Sequence, residues 1–159
     1  MTSAEFRALA EFRYRIRLFM NGSEEAARKA GLEPQQYLLL LAIRGLPEGE
    51  ESTIRTLAER LALKHQSAVE LIDRLEAHGY VRRSRSRDDR RRVLVSLLPR
   101  GEKMLEQVAQ HRISELRASG AALVNAISAL LENGRSSRGG KSAPSFETAS
   151  SERGKSARE

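Results

Sequence analysis

The chain has 159 residues, 40 % of them hydrophobic and 31 % charged, so one domain with one core is expected and disorder of the whole chain is excluded. Lys and Arg number 28 against 21 Asp and Glu, and the net charge of +7 favours a polyanionic partner, nucleic acid before anionic membrane. The absence of Cys excludes disulfides, thiolate metal sites, iron–sulfur clusters and a cysteine redox switch.

The three histidines, His65, His78 and His111, lie 13 and 33 residues apart, which is not metal-ligand spacing. The longest apolar run, Tyr37–Ile43, has seven residues. That is far below the ~18 of a membrane span, and the first residues do not read as a secretory leader. A cytoplasmic protein without metal or cofactor is the expectation.

Phe6, Leu9, Phe12, Ile16 and Phe19 recur at steps of three and four, which predicts a helix over 4–21. Asn21-Gly22-Ser23 is expected to break or bend it before it resumes to Ala30, with Gly31 as the residue just past its end. The apolar stripe must cover either the chain's own core or a partner chain. Pro34 suits a first helical turn, and the Leu-rich run after it predicts a central buried helix over 34–45, ended by Gly45, Pro47 and Gly49.

Ser52-Thr53 offers a cap for a short helix carrying Ile54, Leu57, Ala58 and Leu61 at helical spacing. After the turn Ala62–His65, a second helix over 65–78 turns Ala68, Leu71, Ile72 and Leu75 inward and stops at Gly79. Two short amphipathic helices joined so tightly read as helix-turn-helix. Tyr80-Val81 and Val93–Leu97 read as strands. Between them, Arg82–Arg92 holds seven Arg and two Asp, and Asp88-Asp89 supplies turn chemistry. A hairpin placed directly after a helix-turn-helix is a wing. Pro99 opens a last helix with Leu105, Val108, Ala109, Ile113 and Leu116 along it, a break expected at Ser119-Gly120, and an apolar stripe continuing to Leu131. Residues 133–159 are rich in Gly, Ser, Arg and Lys with a single aromatic, Phe146, and are expected to form a flexible basic tail, either a solvated appendage or a weak nucleic-acid tether.

The outward side of the second short helix presents Gln66, Ser67, Glu70 and Arg74. Gln pairs with adenine, Ser donates or accepts, and a carboxylate accepts from a cytosine amine. Arg74 and Lys64 are better placed for phosphate, as is Thr53 at the start of the first short helix. The wing arginines suit a narrow minor groove, where negative potential is concentrated. Asp89 lies two residues from Arg91, a spacing at which a carboxylate can hold a guanidinium bidentately. The alternative is that Asp89 only makes the turn and the arginines are a solvated edge. Rival functions fare worse: no nucleophile elbow or phosphate-cradling glycine loop supports an enzyme, a protein-interaction winged helix would not need so basic a wing, and a membrane-surface protein would carry its charge on an amphipathic helix.

Arg55–Leu63 (RTLAERLAL), Ser67–Glu76 (SAVELIDRLE), Gly79-Tyr80-Val81, then Asp89–Leu97 (DRRRVLVSL) and Gly101 resemble the MarR family of winged-helix transcriptional regulators. The Asp-x-Arg wing followed by a valine-rich strand is the most specific part, and Leu32-x-Pro34-x-Gln36-Tyr37 is similar as well. The resemblance implies a mainly α fold with a small β-hairpin wing. It implies a winged helix-turn-helix lobe over about 33–98, with dimerisation helices over about 4–30 and 99–132, within a domain of 1–132. It further implies a homodimer whose recognition helix, the one holding Gln66–Leu75, reads a pseudo-palindromic operator in double-stranded DNA, usually as a repressor. Arg87, Asp89, Arg90 and Arg91 form the wing site, with Arg91 in the minor groove and Asp89 orienting it. Many members release DNA when a small, often aromatic and acidic, effector fills a crevice between the dimer helices and the DNA-binding lobe. The chain departs from the pattern at Glu33, Ala62, Lys64 and Leu98, where caps or a turn glycine are common, each lost cap being worth about 1 kcal/mol. It departs also at Glu70, where a base is common.

Overall fold

The computed structural model describes residues 2–136. The first helix, α1 (Ser3–Lys29), starts at a capping box: the Thr2 hydroxyl accepts the Glu5 N–H at 3.2 Å, and the Glu5 carboxylate accepts the Thr2 N–H at 2.6 Å. It ends at Gly31, whose φ of 81° suits glycine, with the Leu32 N–H returned to the Ala27 carbonyl at 2.9 Å. The expected break at Asn21-Gly22-Ser23 is absent and α1 is continuous. Gly22 is there for a neighbour: a Cβ at that position would lie 2.6 Å from Nη1 of Arg112. Arg112 is 7 % exposed and donates from Nη2 to the Phe19 carbonyl at 2.9 Å, so the missing side chain admits a cation from the last helix.

Next, α2 (Pro34–Arg44) begins with proline in its first turn, and the Gln36 side chain accepts the Glu33 N–H at 3.0 Å, so one starting donor is satisfied without a Thr. Tyr37, Leu39 and Leu40 are buried, while Leu41 faces outward, so this helix is buried on one side and not all round. The helix-turn-helix follows as α3 (Ile54–Arg60) and α4 (His65–Ala77). Leu57 and Ala58 of α3, and Ala68, Leu71, Ile72 and Leu75 of α4, enter the core, as their spacing predicts. The turn between them puts Ala62 at φ 51°, a left-handed conformation that costs a residue with a Cβ ~1–2 kcal/mol. We expect Ala62→Gly to raise stability by up to about 1 kcal/mol, after the larger entropy of an unfolded glycine is subtracted. A urea midpoint that stays put or falls would contradict this.

The strands β1 (Val81–Arg85) and β2 (Val93–Leu97) pair antiparallel from Val81↔Leu97 to Arg85↔Val93. β1 is therefore longer than Tyr80-Val81, because β2 offers five residues to pair with, and the loop proper is only 86–92. The pre-α3 segment joins the hairpin's other edge: the Val95 N–H donates to the Ser52 carbonyl at 2.9 Å, and the Ser52 hydroxyl donates to the Val95 carbonyl at 2.6 Å. The last helix, α5 (Pro99–Ser136), spans 38 residues, or about 57 Å at the usual rise. Ser119-Gly120 does not break it; the Ser119 hydroxyl bonds back to the Glu115 carbonyl at 2.8 Å within an unbroken helix. It runs past 132 to Ser136, and the rest of the expected tail lies outside the described residues. One core joins α1, α2, α3, α4, the hairpin and the first turns of α5 through Ala27, Leu32, Leu39, Leu40, Leu57, Ile72, Leu75, Val81, Val95 and Val108. Beyond it α1 lies along α5, and the two helices leave large apolar side chains exposed, up to 59 % for Phe6 and 64 % for Leu131.

Candidate nucleic-acid interface

Burying Ala68, Leu71, Ile72 and Leu75 turns the opposite side of α4 to solvent, and Lys64, Gln66, Ser67, Glu70 and Arg74 are all exposed there. Lys64 occupies the cap position with extended backbone and no side-chain cap bond, which leaves its ammonium free to reach outward. Gln66 donates from Nε2 to Glu70 Oε1 at 3.3 Å. The two expected base readers are thus one hydrogen-bonded pair a turn apart, and the amide's carbonyl oxygen stays available as an acceptor. The Thr53 hydroxyl, expected at a phosphate, caps α3 by accepting the Thr56 N–H at 3.1 Å and meets the Thr56 hydroxyl at 2.9 Å.

The wing's seven arginines divide into two groups. Three are turned to the protein. Arg83 bonds to Asp73 and Glu76 of α4, Arg92 donates to Glu51 at 2.5 Å, and Arg82 reaches the Ser96 hydroxyl at 3.4 Å. The rest line the outer strand and loop. Arg85, Arg87 and Arg90 are exposed, and the Arg91 side chain is 93 % exposed. The loop is closed by the Ser86 N–H on the Arg92 carbonyl at 3.0 Å and the Arg92 N–H on the Asp89 carbonyl at 2.9 Å. The Asp89–Arg91 contact exists but is not bidentate: the Arg91 backbone N–H at 3.0 Å and Nε at 3.4 Å both reach Asp89 Oδ1. A carboxylate that also binds the backbone of Arg91 shapes the turn first and steers the guanidinium second. Most of the Arg91 donors still face outward.

Arg83 is held in its charged form by its neighbours. Partial burial works against its charge, but the carboxylates of Asp73 and Glu76 outweigh this and raise it further above its ordinary value. Its orientation follows from β1 extending to Arg85, beyond the Tyr80-Val81 expected. Strand side chains alternate, so Arg83 shares the inward face with Val81, a core residue. His78 sits at the end of α4 with Nδ1 2.7 Å from the Arg74 carbonyl, its ring stacked on Tyr80 at 5.8 Å. Among the described residues no cluster of His, Asp or Glu could hold a metal ion, and no helix is long and apolar enough to cross a membrane.

A helix-turn-helix whose second helix presents polar side chains, followed by a basic antiparallel wing, defines a winged-helix DNA-binding protein. The chain belongs to the MarR family of transcriptional regulators: residues 30–92 match that family's sequence model. It is 31 % identical over 108 residues to the transcriptional regulator SarZ of Staphylococcus epidermidis, covering 62 % of this chain and 71 % of that one. It is 27 % identical over 121 residues to the uncharacterised regulator YsmB of Bacillus subtilis, covering 74 % and 81 %. The fold resembles that of AbsC, a MarR family regulator from Streptomyces coelicolor, with a TM-score of 0.66 at 23 % identity over 87 % of this chain and 97 % of that one. Two further folds of this kind were solved with ligands. A single-residue mutant of MepR from S. aureus is bound to an oligodeoxyribonucleotide (TM-score 0.57, 17 % identity, 80 % and 94 % covered), and NadR is in complex with 4-hydroxyphenylacetate (0.61, 21 %, 81 % and 89 %).

Proposed function

We propose that this transcriptional regulator acts as a homodimeric repressor on a pseudo-palindromic operator. The observation that carries the reading is the joint exposure, beside one hairpin, of Gln66, Ser67 and Glu70 on α4 and of Arg87, Arg90 and Arg91 on the wing. In this reading the α4 residues meet base edges in a major groove, Lys64, Arg74 and Thr53 lie along phosphates, and Arg91 enters the minor groove with Asp89 holding its turn. The lobe over 33–98 is the DNA-binding part, while α1 and α5 bring two copies together. Two copies of α4 about 34 Å apart then meet successive major grooves. The MepR complex with an oligodeoxyribonucleotide supports DNA as the partner. The chemistry is recognition, not catalysis, and its place is with the chromosome in the cytoplasm.

The test is selection of bound fragments from random duplex DNA, followed by titration over a salt series. A twofold-related consensus and an affinity that falls steeply with salt are the expected outcome; salt-independent or absent binding would refute it. On the selected operator, Arg91→Ala is expected to weaken binding roughly tenfold and to relax the preference for A·T at the flanks, in line with about 1–3 kcal/mol for a specific contact. Gln66→Ala is expected to change the selected bases more than Lys64→Ala does, and identical sequence preferences in the two variants would reject the division of roles.

Release by a small aromatic acid belongs to the same reading. Its support is the aromatic acid bound by NadR; the crevice of about 350 Å³ in this chain lies between α1 and α5, lined by Phe19, Leu116 and Leu123, with Arg112 at its wall already bonded to Glu115 and the Phe19 carbonyl. A panel of phenolic acids that leaves both melting temperature and operator affinity unchanged would remove it.

A further inference from the structure

We propose that Arg83 is a positioning residue for DNA recognition: it bolts the wing to α4, so that the wing tip and the base-facing side of α4 reach DNA as one rigid body. The inference rests on the reading of Arg91 and α4 given above. Arg83 stands at the centre of β1, opposite Val95. Its Nη2 lies 2.6 Å from Asp73 Oδ1 and 3.3 Å from the Val69 carbonyl, and its Nη1 donates to Glu76 Oε2 at 2.5 Å. Its backbone N–H donates to the other Glu76 oxygen at 3.0 Å. Val69, Asp73 and Glu76 are four and three residues apart, so the guanidinium grips one stripe along two turns of α4.

The cluster of Arg83, Asp73 and Glu76 carries one net negative charge, so Arg83 brings no positive charge to a phosphate. Its chemistry is that of a strut: a planar fork spanning two carboxylates, which a lysine's single ammonium cannot reproduce. The other edge of the hairpin is held as well, by Ser52 on Val95 and by Arg92 on Glu51. The five-residue strands lead from these anchors to a loop whose Arg91 is almost wholly exposed. A loop so far from the core enters a groove at a fixed place only if the hairpin's base cannot swing.

The experiment is a set of binding cycles on the selected operator with full-length protein. In the otherwise native chain Arg91→Ala is expected to weaken binding roughly tenfold. In an Arg83→Met background, and separately in Asp73→Asn/Glu76→Gln, which cuts the same bridge and keeps Arg83, the Arg91→Ala effect should shrink to less than about twofold, while the Gln66→Ala effect persists. Arg83→Lys should recover part of the Arg91 effect. Amide hydrogen exchange at Ser84 and Leu94 should quicken in Arg83→Met with α3 and α4 unchanged. An Arg91→Ala effect of equal size in all backgrounds overturns the proposal. So does an Arg83→Met variant that keeps the Arg91 effect and only flattens the salt dependence by about one charge per site, the signature of a phosphate contact. Should Arg83→Met fail to fold, the carboxylate variant decides alone. Should Arg91→Ala have no effect in the native chain, the minor-groove reading fails, and unchanged hairpin exchange in Arg83→Met would overturn the strut by itself.

Discussion

Gly101→Ala is expected to destabilise the protein by about 3 kcal/mol, a large fraction of the ~5–15 kcal/mol that holds a domain of this size together. A Cβ at that position would lie 2.2 Å from the Tyr80 carbonyl oxygen and 3.0 Å from the carbonyl carbon. Neither atom can retreat. The oxygen accepts the Leu98 N–H at 2.9 Å, Tyr80 is buried, and its N–H donates to the Leu75 carbonyl at 2.9 Å where α4 ends. The first turn of α5 must therefore rise off the base of the wing, taking Leu105 and Val108 out of register with the core. Thermal melting should show a loss of roughly 10 °C. Gly120→Ala is the control, since its nearest neighbour is the Leu116 side chain at 3.6 Å in ordinary contact, and a mid-helix alanine should stabilise by about 0.5–1 kcal/mol. Equal and small effects at the two glycines would show that the close approach at Gly101 is not what holds α5 in place.

If the proposed homodimer forms, loss of its second subunit should have the larger effect on DNA binding. Of the twelve exposed large hydrophobics among the described residues, every one but Leu41 lies on α1 or α5, from Phe6 to Met20 and from Ile113 to Leu131. An apolar face concentrated on two helices marks an interaction surface, and a second copy of the same two helices is the occupant a homodimer requires. Phe6→Glu/Leu131→Glu puts two carboxylates where apolar surface would be buried, each without a partner. The double variant is expected to sediment as a monomer and to lose at least about a hundredfold in operator affinity, because one half-site must then bind without the other held beside it. Both positions are exposed in the single chain, so its melting should be little changed at high dilution. A variant that still sediments as a dimer, or native protein that is already monomeric, would count against this arrangement.

Much of the fold was legible in residue order. Ala68, Leu71, Ile72 and Leu75 announce the buried stripe of α4 by their spacing, and all four are buried. Gly31 and Gly79 stand at positive φ directly after helices, where no Cβ is wanted. The hairpin was legible from the valine-rich strand and the Asp pair before it. The misreadings share one origin. Gly22 and the Ser119-Gly120 pair carry the composition of a helix break, yet α1 and α5 run straight through both. At Gly22 the missing Cβ makes room for Arg112, which arrives from 90 positions further along the chain.

Chain order alone therefore settled which helices and strands form, since their periodicity depends on residues within a turn or two of one another, but not that α1 and α5 run unbroken or that β1 reaches Arg85. The allocation of the wing's arginines was settled in three dimensions. Seven similar side chains follow one another in Arg82–Arg92, and no local rule separates the three directed to Asp73, Glu76, Glu51 and Ser96 from those left facing solvent. Which of them is a strut and which is available to DNA follows from where β1 and β2 lie against α4 and the segment before α3. That placement comes from burying Val81 and Val95 in the common core, and burial has no preferred partner until the whole chain has come together.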